Sequence, residues 1–203
     1  MSGSCGGKCG CGRPGIPDAV EFLKQEHRVI ERVLDALEID LQGGGPSPSI
    51  AWPALEFLAA FADGCHHHKE EEHLFPALRE RGVPQEHGPI GCMLDDHETG
   101  RALMKRMRRA LIGVEIGDPA AVEDFRDAAQ LYIDHLRRHI DKEDHVLFAM
   151  AADLLSPAER ARMADGFYDF ERVGDRPGTH DRMVVLADVL HRRACAAAQP
   201  AAV

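Results

Sequence analysis

The chain has 203 residues, 44% of them hydrophobic, and a formal net charge of −10, enough apolar material for one core with peripheral elements. The acidic balance speaks against a nucleic-acid partner, whose phosphates call for a concentrated positive face. No apolar run approaches the roughly 20 residues that span a bilayer and residues 1–17 lack the apolar stretch of a secretory signal, so the expectation is a cytoplasmic protein without a membrane partner.

Residues 1–17 read as a flexible, glycine-rich tail carrying Cys5, Cys9 and Cys11, a spacing that is neither a zinc ribbon nor a ferredoxin pattern. Asp18 is placed to cap a first helix running to about Leu41, with Val20, Leu23, His27, Ile30, Leu34 and Leu37 on one stripe. Three glycines and two prolines within residues 42–49 break it. A second helix is predicted from about Ala51, with Pro53 in its first turn, through Leu55, Leu58, Ala62, His66 and Glu70 to about Arg79. Pro76 should kink or end that helix.

A third helix, from Pro89 to Ile112, turns Ile90, Met93 or Leu94, His97 and Met104 inward. Its basic cluster Lys105, Arg106, Arg108 and Arg109 is read as complementing a helix C-terminus. Asp118-Pro119 is a cap followed by a first-turn proline, opening a fourth helix to Leu155 with Tyr132, His135 or Leu136, His139, Glu143 and Leu147 on its stripe. Ser156-Pro157-Ala158-Glu159 is a capping box for a fifth helix to about Val173, and a sixth follows from Thr179 to about Ala197. Cys65, Cys92 and Cys195 fall in helical patterns and read as small core residues. Nothing alternates with period two. The expected architecture is all-α: an up-down-up-down four-helix bundle over residues 18–155, with two additional C-terminal helices packed outside it in residues 156–203.

The chemistry lies in a repeat. His66-His67-His68-Lys69-Glu70-Glu71-Glu72-His73-Leu74-Phe75 returns as His139-Ile140-Asp141-Lys142-Glu143-Asp144-His145-Val146-Leu147-Phe148. In a helix, His and Glu four residues apart share a face, so each copy offers one imidazole and one carboxylate from adjacent turns. About 40 residues before each copy stand Glu26-His27 and Asp96-His97, which add a histidine to each half. A lone helical histidine is usually a surface or satisfied core residue, and Glu70-Glu71-Glu72 alone would be a solvated run. It is the concurrence that points to metal, because unpaired glutamate buried beside histidine is costly.

The candidate ligands are His27, His66, Glu70, His97, His139 and Glu143. With both glutamates and an oxo or hydroxo group bridging two ions, each ion fills five positions and keeps one open. Iron suits this set, with manganese as an alternative. The triple His66-His67-His68 points three ways around a helix, so His67 and His68 are expected to face outward, as are His73, His87, His145, His180 and His191. Tyr132 and His135 are candidates to line the pocket, and Glu31 and Arg101, each four residues after a candidate ligand, are candidates for an ion pair that orients or gates it. Ferritin-like bundles use Glu-x-x-His, the reverse order, and His135-Leu136-Arg137-Arg138-His139 lacks the glutamate of a zinc protease.

The paired motifs, with Asp96-His97-Glu98-x-Gly100-Arg101, resemble the hemerythrin-like, His-His-Glu cation-binding family over residues 18–155. The resemblance implies a four-helix bundle holding two non-haem irons that meet O2, NO or peroxide, in oxidative or nitrosative stress, with an unidentified electron donor. Oxygen-carrying members have a second histidine where Arg101 stands and an aspartate ending the last motif. The departure resembles bacterial members with peroxide, NO or iron-centre repair chemistry. The alternative is a non-catalytic sensor, store or delivery protein for O2 or iron.

Overall fold

The computed structural model describes residues 17–172 and 178–198. Cys5, Cys9 and Cys11 lie outside them. Six helices and their connections make up the described residues, with no strand among them.

Helix α1 is Ala19–Gln42, and the Asp18 carboxylate accepts from the backbone N–H groups of Val20 and Glu21 at 3.1 and 3.2 Å, satisfying two of the donors that every helix start leaves open. Helix α2, residues 48–80, changes pitch along its length. It is α-helical over Pro48–Phe57, π-helical over Leu58–His67 and again over Glu70–Leu74, and α-helical over Phe75–Glu80. It starts three residues earlier than the sequence suggests, because Pro48 takes the first helical position, where a missing N–H costs nothing. Nor does Pro76 end it. Pro76 falls in the opening turn of the last α-helical segment, where the hydrogen bonding has just been reset and no N–H is missed.

Helix α3, Pro89–Glu115, runs through Gly113 instead of stopping before it. A Cβ on Gly113 would stand 2.5 Å from the Cβ of Ala121, so glycine here admits the start of the next helix and does not break its own. The basic cluster therefore lies well before the helix end, and Arg106 instead pairs with Asp124 across the helix–helix contact. Helix α4, residues 119–154, is α-helical over Pro119–Lys142 and Phe148–Leu154 with a π-helical turn, Glu143–Leu147, between. Helix α5, Pro157–Phe170, has its capping box formed by Ser156 and Glu159, and α6 is Thr179–Ala198.

Each of the first four helices crosses an apolar cluster, a buried polar layer and a second apolar cluster. In α1 the order runs from Val20 and Leu23, through Glu26 and His27, to Ile30–Leu41; in α2 it runs the other way, from Ile50–Ala62 through His66–Glu70 to Leu74 and Leu78. Helix α3 repeats the order of α1, and α4 repeats that of α2. Helix α6 adds to the core: Met183, Ala187, Leu190 and Ala194, at helical spacing, join the larger cluster beside α1 and α2. Leu136, not His135, is the buried one of that pair, and Met107 carries the core role expected of Met104. Among the described cysteines only Cys65 is buried. Cys92 is exposed, with the Lys142 ammonium 3.7 Å from its sulfur, and Cys195 is half-buried near His191.

Phe125 of α4 is fully buried in the larger cluster. Phe125→Ala is expected to lower the stability of the metal-free protein by about 3–5 kcal/mol, read as a fall in the urea midpoint at unchanged slope.

Candidate metal centre

The polar layer between the two apolar clusters is the site. It gathers His27 from α1, His66 and Glu70 from α2, His97 from α3 and His139 and Glu143 from α4, every one at most 1% exposed. All of them stand at or beside the π-helical turns or in the straight helices facing those turns.

Each of the four imidazoles is held from behind by a carboxylate of a neighbouring helix. His66 Nδ1 lies 3.0 Å from Glu26 of α1, His97 Nδ1 2.6 Å from Glu71 of α2, His139 Nδ1 3.4 Å from Asp96 of α3, and His27 Nδ1 2.8 Å from Asp144 of α4. The pattern closes on itself: every helix accepts from the next, and α4 accepts from α1. An ionised carboxylate only accepts, so Nδ1–H donates and the Nε2 lone pair is left free toward the centre. A cation backs each carboxylate in turn, Lys69 on Glu26, Arg101 on Glu71, Lys142 on Asp96 and Arg28 on Asp144.

A fifth imidazole is present that the sequence reading turned outward. His67 is buried, its ring stacked on His97 with centroids 3.8 Å apart and an interplanar angle of 10°. The outward expectation assumed about 100° of rotation per residue. In the π-helical stretch that ends on His67, i→i+5 bonding puts more residues into a turn, so two adjacent side chains reach the same face. The cue in the sequence was the doubled His66-His67, set against His139-Ile140 in the other copy.

Among the described residues ten buried side-chain atoms have no hydrogen-bond partner: Nε2 of His27, His66, His97 and His139, both ring nitrogens of His67, and both oxygens of Glu70 and of Glu143. All ten belong to this cluster. They fall into two groups small enough for a cation, His67, Glu70, His97 and His139 on one side and His27, His66, Glu70 and Glu143 on the other. Glu70 belongs to both. At about 1–3 kcal/mol per unpaired group, such a cluster would consume the 5–15 kcal/mol that stabilises a typical domain. Imidazole and carboxylate donors aimed at one interior fit metal ions, and the profile of the hemerythrin HHE cation-binding domain matches residues 13–151.

The chain belongs to the hemerythrin HHE cation-binding family.

It is 28% identical over 160 residues to an uncharacterised protein of Mycobacterium tuberculosis and to one of Mycobacterium bovis. The match covers 75% of this chain, which spans 61% of the length of those relatives. No solved structure matches it.

In this hemerythrin-family chain the two central carboxyls are driven apart. Burial, and then the charge of Glu143 beside it, push Glu70 well above its ordinary 4.5. Burial pushes Glu143 up as well, but His139 and His27 outweigh it and hold it far below the usual range. Burial, followed by His27, lowers His66 to about 4. The ring carboxylates stay ionised. Asp96, although burial raises it, is brought down to about 2 by His139 and Lys142, and the hydrogen bond from His97 lowers Glu71 first of all.

Arg101 does not meet Glu31. It pairs with Asp63, Glu71 and Glu98 at 2.7, 2.8 and 2.7 Å, while Glu31 pairs with Arg28 at 2.9 Å, since acids closer to each claim the charge first. His135 donates from Nε2 to the Asp96 carbonyl at 2.8 Å, steadying the turn that carries His97. Tyr132 is buried against α3, with Gly100 beside its ring. His68 and His73 are half-buried on Phe170 and Phe167, His191 is half-buried in α6, and His87 and His145 are exposed. His180, expected outward, instead turns in to Glu26 at 3.5 Å, because α6 packs against α1.

Two outcomes follow. His67→Leu should make the metal-free domain more stable by about 1–3 kcal/mol, since it removes two unpaired buried nitrogens, while weakening the hold on metal in chelator competition; a destabilised metal-free variant would mark His67 as a plain packing residue. The raised Glu70 carboxyl adds stability to the metal-free domain that is full below its unfolded 4.5 and is lost as pH rises through its folded value. Metal needs it ionised. Ion uptake should therefore release protons and tighten with rising pH, which an indicator dye in weak buffer reports, and uptake without proton release would contradict it.

Proposed function

We propose that the four ligand-bearing helices form an up-down-up-down bundle around two iron ions, and that the loaded centre binds or reacts with O2, NO or peroxide under oxidative or nitrosative stress. The reversed order of apolar and polar layers in successive helices supports the bundle topology. The ten unpartnered donors, with the four imidazoles each oriented by a carboxylate, carry the metal reading. Manganese is the other ion that this donor set suits.

When bound, an iron pair supplies redox equivalents and a place for a small exchangeable ligand. The chain's own residues do the rest. Glu70, shared by both donor groups, would help to hold both ions, and Glu143, its Oε2 3.2 Å from Nε2 of both His27 and His139, would do the same. The ring of carboxylates keeps each imidazole in the Nδ1–H form and raises its basicity. Phe148, stacked on His27 at 5.3 Å, and Phe75, beside His97 at 5.8 Å, wall the layer against water. His67 enlarges the donor set on the His97–His139 side, so the His27–His66 side would leave more room for a small exchangeable ligand. Electrons come from a donor yet to be identified. The same ligands serve the alternative, a sensor, store or delivery protein for O2 or iron, and turnover separates the two.

The deciding experiment loads anaerobic protein with ferrous iron, counts the metal and follows the optical spectrum on exposure to O2, NO and H2O2 in turn. About two irons per chain and catalytic loss of peroxide or NO are expected, whereas spectral change that reverses without turnover would favour sensing or storage. Glu70→Ala and Glu143→Ala should each lose at least one iron and the visible absorption of the oxidised pair; retention of both irons in either variant would remove its role in holding them.

A further inference from the structure

We infer that the C-terminal segment reaches into the metal centre through Lys69, and that Glu171 is a positioning residue that tunes the His66 side of it. The inference rests on the two-metal reading above. Its starting point is an asymmetry in an otherwise repeated arrangement. The cations behind the ring carboxylates correspond in pairs, Lys69 with Lys142 and Arg28 with Arg101, yet the Lys142 side chain is 40% exposed and Lys69 is 0% exposed.

A buried ammonium is costly unless matched by charge and hydrogen bonds. Lys69 Nζ lies 2.5 Å from Glu26 Oε1 and 2.5 Å from Glu171 Oε1. The Phe22 ring sits 4.6 Å and the Phe167 ring 5.9 Å from the ammonium, at cation–π range. His180 completes the group, its Nε2 3.5 Å from Glu26 and 3.8 Å from Glu171. Glu26, Glu171 and His180 on their own form a third group of cation-ligand size, and the ammonium of Lys69 serves it. Three of these contacts, Phe167, Glu171 and His180, come from α5, the residue following its end, and α6. The repeat in α4 receives no such cover.

The consequence runs through Glu26. One of its oxygens takes Lys69 and the other accepts from His66 Nδ1 at 3.0 Å. With Glu171 present, the ammonium is shared between two carboxylates, and Glu26 keeps the electron density that makes it a strong acceptor for His66. Remove the charge of Glu171 and the whole ammonium falls on Glu26. The hydrogen bond to His66 then weakens, Nε2 becomes less basic, and the ion on the His27–His66 side is held less firmly. Cys65 does not compete for Lys69 as a thiolate: its sulfur is 3.9 Å from Glu171, and burial, then Glu26, push its thiol up to about 12.

The test compares full-length wild type, Glu171→Gln, which keeps shape and removes charge, and Glu171→Asp, which restores charge. Cobalt(II) is titrated against a competing chelator, the cobalt-shifted Nδ1–H proton resonances of the imidazoles are followed, and the unfolding midpoint of the metal-free protein is measured. Glu171→Gln should loosen one of the two ions about tenfold and move the His66 resonance, leaving the His139 resonance and the second ion unchanged, with Glu171→Asp returning partway to wild type. Two ions held as in wild type would overturn the inference, and so would equal loosening of both together with a lower metal-free midpoint, which would make Glu171 a support of the fold alone. Wild type that fails to take two cobalt ions defeats the two-metal reading itself, and this inference with it.

Discussion

Five imidazoles and two carboxylates sit in a buried layer, and their inward atoms have no hydrogen-bond partner. That constraint shapes the rest. A polar layer of this kind persists only if apolar packing on both sides stabilises the helices that cross it, and the two hydrophobic clusters flank it. It also needs a counter-charge, since Glu70 and Glu143 face each other in an interior where both cannot ionise without one. Metal ions answer that requirement and tie the stability of the domain to its ligand chemistry.

The closed ring of His–carboxylate hydrogen bonds explains why a short motif occurs twice. Within each copy the residue after the central glutamate, Glu71 or Asp144, reaches a histidine outside its own half. The acid before the early histidine, Glu26 or Asp96, holds the histidine of the following helix. Each half is therefore incomplete alone, and the second supplies the two contacts that the first lacks. The π-helical turns belong to the same design: at His67, Glu70 and Glu143 the wider turn re-aims side chains without interrupting the helix.

The repeat is symmetric in its ring and asymmetric around it. His67 enriches one of the two donor groups, and the C-terminal helices bury the cation behind the other. The match to the hemerythrin HHE cation-binding domain covers residues 13–151, and Glu171 and His180 lie outside that stretch.

The sequence by itself determined the helical class, most helix starts and the residue types meeting in the polar layer, because those rest on local signals: caps at Asp18, Asp118 and Ser156, a 3.6-residue period, and a repeat that singles out His66 with Glu70 and His139 with Glu143. Only the tertiary structure decided which neighbours those residues take. Local rules read His67 and His180 as outward, Arg101 as the partner of Glu31 and Cys92 as core. His67 failed on a change of pitch within α2, and the others on what neighbouring segments bring: the packing of α6 on α1, nearer acids on α2 and α3, and a face of α3 left open to solvent. Periodicity along one chain segment fixes an angle around that segment's own axis, whereas partner, burial and charge depend on what another segment brings to the same place.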